Sequence, residues 1–200
     1  MFRTLKPLVL ASGSPRRREF LQELRIEFTV MTSEIDETPM RNEPPARFAE
    51  RMALAKAAAV ARTCPGRWVL AADTVVALPD GTILGKPADP DDALAMLRRL
   101  AGSIHLVMTG LCLCHLEQGV EETRLATTEV RFAEVSTKVL RAYVDTGEPL
   151  DKAGAYGIQG RGGILVDSIH GSCSNVIGLP LHATVSLLLD HDIIVPARND

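Results

Sequence analysis

Lys6-Pro7-Leu8-Val9-Leu10-Ala11-Ser12-Gly13-Ser14-Pro15-Arg16-Arg17-Arg18 decides how the chain is read. Lys6 to Ala11 reads as a first strand. Ser14 can cap a helix, Pro15 suits its first turn, and Phe20, Leu21 and Leu24 then share one helical face. The backbone N–H groups at a helix start lack intrahelical partners, and the helix dipole makes that end positive. Arg16, Arg17 and Arg18 crowd the same place, which is unfavourable unless an anion arrives. A phosphate held by Ser12, Ser14, Arg16 and Arg17 would resolve the conflict. The competing reading has the arginines splayed into solvent or paired with Glu19 and Glu23.

Outward from this segment, apolar strand-like stretches alternate with helical patterns. That predicts an α/β or mixed α+β domain, a single one over residues 1–200 with no separating linker. Glu27–Met31 reads as a second strand and Glu34–Pro45 as a loop. Ala46–Arg62 reads as a long helix with Phe48, Met52, Ala55 and Ala59 on one stripe, ended by Cys64-Pro65-Gly66. Trp68–Leu78 reads as a strand broken at Asp73-Thr74. A helix starts at Asp89-Pro90 and runs to Leu100. Strands follow at Ile104–His115 and Arg124–Ala133, with a helix from Ser136 to near Thr146-Gly147. The glycine-rich loop Gly154–Gly163 leads to a strand at Ile164–Asp167, and Pro180 opens a last helix to about Leu189.

Composition excludes several classes. Hydrophobic residues make up 46% of the chain, enough for a sizeable core. No apolar run approaches the ~20 residues that span a bilayer, and Leu8–Ala11 is too short for a signal peptide, so a cytoplasmic protein with no membrane partner is expected. A net charge of -3 and 4% aromatic residues argue against binding a nucleic-acid polymer. Cys64, Cys112, Cys114 and Cys173 have no zinc-type spacing and read as reduced, buried thiols, with Cys112 and Cys114 on one side of a strand.

Four further features carry chemistry. Asp73 lies within Val69–Val76, where an unpaired carboxylate is costly to bury, so it needs a lysine, an arginine or a metal. Lys56 borders the apolar face of its helix, and Lys86 sits in the stiff Gly85-Lys86-Pro87 segment; each alone also reads as a solvated lysine. Glu34-Ile35-Asp36-Glu37 is an acidic loop that, with Asp73, can offer oxygen ligands to Mg²⁺ or Mn²⁺, or else form a solvated face. In Gly154–Gly163, glycines permit close backbone approach, and Gln159 offers a donor and an acceptor to a base edge. Together these are the parts of a nucleotide-cleaving site.

The same residues resemble the Maf family of nucleotide pyrophosphatases. Leu10–Arg17 resembles its opening motif and Glu34–Glu37 its acidic loop. Arg51 and Lys56 fit its helix, Ala72-Asp73-Thr74 its Gly-Ala-Asp-Thr segment, and Gly85-Lys86-Pro87 follows in order. Asp151-Lys152-Ala153-Gly154-Ala155-Tyr156-Gly157-Ile158-Gln159-Gly160 is similar throughout, and Ser174–Pro180 is close to the C-terminal motif. Two positions depart: Ala71 stands where Gly is common, and Ala55 where Glu often stands, which removes a possible metal ligand.

The resemblance implies an elongated, Maf/ITPase-like α/β fold with a central mixed sheet, a cleft between two lobes, and often a homodimer. It implies metal-dependent hydrolysis between the α and β phosphates of a nucleoside triphosphate. Asp73 would be the proton acceptor that activates water, with Lys56 and Lys86 neutralising charge on the leaving group. Asp73 with Asp36 or Glu37 would hold the metal. Arg16, Thr74 and Gln159 match the positions that set base preference, in the combination typical of the dTTP and UTP branch. The alternatives are the same chemistry on 7-methyl-GTP or another modified purine triphosphate, and a nucleotide-binding inhibitor of septum formation.

Overall fold

The computed structural model describes residues 1–197. In chain order the elements are β1 (Phe2–Thr4), β2 (Leu8–Ala11), α1 (Pro15–Glu23), β3 (Thr29–Met31), α2 (Pro45–Ala61), β4 (Trp68–Ala77) and β5 (Ile83–Leu84). They continue with α3 (Pro90–Leu100), β6 (Ile104–His115), β7 (Val120–Phe132), α4 (Thr137–Val144), β8 (Val166–His170), α5 (Cys173–Ile177), α6 (Leu181–Asp190) and β9 (Ile194–Pro196). The central sheet runs β3-β2-β4-β6-β7-β8, with β5 paired to β4. β2 is parallel to β3 and to β4, whereas β4–β5 and β7–β8 are antiparallel. The fold is therefore mixed α/β with a mixed sheet, as the alternation of patterns predicts.

The chain clusters into two compact units. The first holds Met1–Asp73, Thr109–Ala126 and the chain from Gly178 on; the second holds Thr74–Met108 and Thr127–Ile177.

In the first unit, strand alternation sorts the core into two faces. Leu8 and Leu10 of β2, Leu70 and Ala72 of β4, and Leu111 and Leu113 of β6 pack with Leu21 of α1 and Leu187 and Leu188 of α6. The residues between them (Val9, Ala11, Val69, Ala71, Cys112, Cys114) pack against Ala53, Ala57, Val60 and Ala61 of α2. Small residues on both sides let α2 lie close to the sheet. Gly110 takes this furthest, because a Cβ there would overlap the Ala49 carbonyl.

The second unit has one apolar core. Leu94, Leu97 and Leu100 of α3, Leu140, Tyr143 and Val144 of α4, and Val130 and Phe132 of β7 meet around Tyr156 and Leu165. Helix α3 starts where the Asp89 carboxylate accepts the Asp92 N–H at 2.8 Å. Asp91 and Asp92 in its first turn and Arg98 and Arg99 in its last suit the helix dipole.

The structure corrects several expected boundaries. β4 runs through Asp73 and Thr74 without a break. β7 begins at Val120 rather than Arg124, since its solvent-facing half alternates in exposure too weakly in hydrophobicity to be read as strand. In place of a strand over Ile164–Asp167, a 3₁₀ turn covers Arg161–Leu165 and the strand is Val166–His170; Ile164 is exposed, so its apolar character serves no sheet. The second strand is only Thr29–Met31, and the first only Leu8–Ala11. Ser14 and Ser136 occupy N-cap positions without a side-chain cap hydrogen bond. All four cysteines are free, but only Cys112 and Cys114 are buried; Cys173 is exposed. Burial pushes the Cys112 thiol up to about 12, which keeps it inert. Among the described residues, no helix is long and apolar enough to cross a membrane.

Candidate active site

Strand parity decides where Asp73 points. Val69 and Ala71 face α2, so Asp73, two residues on, follows them to the α2 side. On α2, Ala53, Lys56, Ala57 and Val60 recur at helical spacing on one stripe, so Lys56 faces the sheet. The two meet with Lys56 Nζ donating to Asp73 Oδ1 at 2.6 Å. Their side chains are only 16% and 11% exposed, which makes this a largely desolvated ion pair. Lys56 Nζ also donates to Glu37 Oε2 at 3.0 Å, so the acidic loop closes over the same ammonium. The cost of burying a carboxylate in β4 is thus offset by one lysine that serves two acids.

Arg17 ties β4 to the segments that follow β2 and precede α6. Its Nε donates to the Gly178 carbonyl at 2.8 Å, and Nη1 donates to the Ala72 carbonyl at 2.7 Å and to Ser12 Oγ at 3.1 Å. Ser12 Oγ also accepts the Ser14 N–H at 3.2 Å. One guanidinium thereby links the end of β2, the residue before Asp73 and the segment before α6. Burial holds Arg17 below the ordinary arginine range, while Asp73 and Glu37 pull the other way against Arg16. An arginine stays protonated regardless. The Arg17 contacts are therefore with protein acceptors, a positioning arrangement that its place in a basic run does not reveal.

Arg16 is half-buried in the first turn of α1 and has no ion-pair partner among the described residues. No acidic residue occupies that first turn. It keeps the cationic helix start read from the sequence.

The acidic loop divides its labour. Asp36 is exposed and its Oδ1 accepts the Thr38 N–H at 2.9 Å; the Thr38 hydroxyl first, and then this N–H, lower its pKa and engage it within its own turn. Arg51 grips Glu43 with a fork at 2.6 and 2.7 Å and donates to the Thr38 carbonyl at 3.1 Å, which fastens the loop to α2. That fork holds Glu43 down to about 2. Of the two loop acids expected as ligands, Glu37 is the one that shares the Lys56 ammonium with Asp73.

Thr74, Lys86 and Gln159 belong to the second unit. Thr74 is half-buried in β4; Lys86 and Gln159 are exposed. The Gly154 N–H donates to the Gly85 carbonyl at 3.0 Å, so the segments bearing Lys86 and Gln159 are stitched to each other. Gly154 has φ +70 and Val76 side-chain atoms where a Cβ would sit, which makes glycine the residue that fits.

Among the described residues no group of three or more His, Cys, Asp and Glu side chains forms a metal-type cluster. Asp73 and Glu37 nevertheless converge on one cation, the Lys56 ammonium. Two carboxylates suit a magnesium-type ion, which takes one or two from protein and completes its shell with water and substrate phosphate.

The mixed sheet thus carries a lysine-paired carboxylate within β4, next to the Ala72 carbonyl that Arg17 of the basic helix start holds. The Maf family, described as Maf-like protein, matches residues 7–191, and the chain belongs to that family. Among its relatives, a dTTP/UTP pyrophosphatase of Desulfotalea psychrophila is 50% identical over 97% of this chain and 99% of its own length. One of Myxococcus xanthus, with the same name, is 51% identical over 96% of this chain and 95% of its own. A solved dITP/XTP pyrophosphatase from Mycobacterium abscessus aligns with 94% of this chain and 95% of its own, at 15% identity and a TM-score of 0.46.

Proposed function

We propose that the chain hydrolyses nucleoside triphosphates to the monophosphate and pyrophosphate, with dTTP and UTP as its substrates. Half-identity to dTTP/UTP pyrophosphatases over nearly the whole chain supports the substrate. The observation that carries the chemistry is Asp73: a carboxylate buried in a sheet strand and held at 2.6 Å by a single lysine.

In this reading Arg16 and the positive end of α1 bind phosphate oxygens. Asp73 accepts a proton from the water that attacks the α-phosphorus. The bond from that phosphorus to the bridging oxygen breaks, and pyrophosphate leaves with the electron pair. Lys56 fixes the Asp73 carboxylate, and Lys86 offsets charge on the departing phosphates. Arg16, Thr74 and Gln159 set the base preference. Asp73 and Glu37 are the residues that would hold a divalent cation, which when bound supplies charge neutralisation among the phosphate oxygens.

The test is pyrophosphate release from dTTP, UTP, CTP and 7-methyl-GTP, with and without Mg²⁺ or Mn²⁺. The expected order is dTTP and UTP far above the others, with turnover abolished by chelation. General-base catalysis contributes ~10²–10⁴-fold, so Asp73→Asn should lose at least about a hundredfold in kcat. Near-normal turnover in that variant sinks the assignment.

A further inference from the structure

The loop that displays Gln159 is held from both ends by one carboxylate. Glu148 Oε1 accepts the Gly162 N–H at 3.1 Å and Oε2 accepts the Arg161 N–H at 3.2 Å. Tyr143 donates its hydroxyl to Glu148 Oε1 at 3.0 Å and in turn accepts the Gly157 N–H at 3.1 Å. The backbone on the near side of Gln159 is thus tied through Tyr143, and the far side directly, to the same side chain.

The glycines of the loop are shaped around this clamp. Gly160 has φ +128, and a Cβ there would sit 3.1 Å from Glu148 Oε1 and 3.2 Å from Oε2. A Cβ on Gly162 would crowd the Tyr143 hydroxyl and the Gly157 carbonyl at 2.6 Å each. Burial alone would raise the Glu148 carboxyl, but the Gly162 and Arg161 N–H groups, the Tyr143 hydroxyl and Lys152 together take it below the ordinary range. Lys152 Nζ braces the same residue by donating to its carbonyl at 2.7 Å. Gln159 itself is exposed, with its flanks pinned.

We propose that Glu148, braced by Tyr143, is a positioning residue for base discrimination: it holds Gly157 and Arg161-Gly162 so that the Gln159 amide meets the base in one orientation. This rests on the reading of Gln159 as a base-contacting residue. A loose loop would let the amide present donor and acceptor in several arrangements, and a glutamine that can turn either way cannot tell one base edge from another.

The experiment compares wild type, Gln159→Ala, Glu148→Gln and Tyr143→Phe for kcat and KM on dTTP and on CTP, alongside hydrogen exchange of the amides over residues 157–162. Glu148→Gln keeps the shape but turns one oxygen into a donor facing a backbone N–H. It should raise KM for dTTP about tenfold, leave kcat within about twofold, and narrow the dTTP-over-CTP preference in the same direction as Gln159→Ala. The amides of Gly157, Arg161 and Gly162 should exchange at least about tenfold faster. Tyr143→Phe should do the same for Gly157 with a smaller change in preference, and it carries the test if Glu148→Gln does not fold. If Gln159→Ala shifts the preference while a folded Glu148→Gln or Tyr143→Phe keeps wild-type preference or wild-type exchange, the clamp proposal is overturned alone. If Gln159→Ala leaves the preference unchanged, the reading of Gln159 fails and the proposal falls with it.

Discussion

The Lys56–Asp73 pair should show its worth in a double-mutant cycle. Lys56→Met keeps the aliphatic stem on the α2 stripe but leaves the Asp73 side chain, 11% exposed, with no ammonium. Removing one partner of a buried pair costs about 3 kcal/mol or more, because the other charge stays desolvated. Asp73→Asn leaves Lys56 with Glu37, whose side chain is 56% exposed, and with an amide oxygen that still accepts, so it should cost only about 1 kcal/mol. With both changes neither member of the pair is left charged without its partner, and Arg17 keeps its own carbonyl and hydroxyl acceptors, so the double variant should lie within about 1 kcal/mol of wild type. The coupling is then about 3 kcal/mol, near the top of the range for directly bonded neighbours. For a chain of 200 residues each kcal/mol moves Tm by roughly 2–4 °C, so Lys56→Met should melt about 6–12 °C below wild type while the double variant recovers most of that. Urea denaturation of the four proteins measures the cycle. If the single effects add within about 0.5 kcal/mol, the pair does not act as a unit and the account of Asp73 burial is wrong.

Other consequences follow from local geometry. Gly110→Ala places a methyl into the Ala49 carbonyl, a backbone obstacle that cannot turn aside, and should cost about 3 kcal/mol in denaturant while lowering turnover as α2 carries Lys56 away. Arg17→Lys cannot span the Gly178 and Ala72 carbonyls and Ser12 Oγ with a single ammonium. It should lose about 2–3 kcal/mol and be detected as a lower urea midpoint together with reduced kcat. His105 is wholly buried beside Tyr156 and Phe132, and burial pushes it down to about 4. The unfolded chain therefore takes up a proton below pH 6.5 that the native state refuses until about pH 4, so stability falls as pH falls through that window. The loss reaches about 3 kcal/mol by pH 4, and His105→Gln, which can still bond the Tyr156 hydroxyl, should flatten that part of the pH profile relative to wild type.

Much of the fold was legible where pattern is long. α2, α3, β6 and α6 lie within a residue or two of where the Phe48–Met52 stripe, the Asp89-Pro90 start, the Ile104–His115 run and Pro180 put them. The three-residue strands β1 and β9 pair with each other, Phe2 opposite Pro196, and no period can emerge over so short a span. The division into two units leaves no linker to read, because three of its four borders fall inside β4, β6 and β7, where the pattern is continuous strand, and the fourth falls at the end of α5.

At the candidate site, residue types announced themselves but their partners did not. A carboxylate inside Val69–Val76 demands a cation on energetic grounds alone, and Lys56 was visible as a helix-face lysine. That these two join each other, and that Glu37 rather than Asp36 joins them, depends on which face of β4 meets which stripe of α2. Arg17 and Arg16 are neighbours in one basic run, yet one turns inward to three protein acceptors and the other stays unpaired among the described residues.

Chemical identity is local: charge, hydrogen-bonding capacity and helical or strand period are written into each residue and its near neighbours, so the sequence alone determined the mixed α/β class, the cationic helix start and the need of Asp73 for a counter-charge. Partnership is not local. Which acid meets Lys56, and that Glu148 reaches across to Gly162, follow only once strands and helices have packed, since burial and distance between segments far apart in the chain are properties of the assembled core.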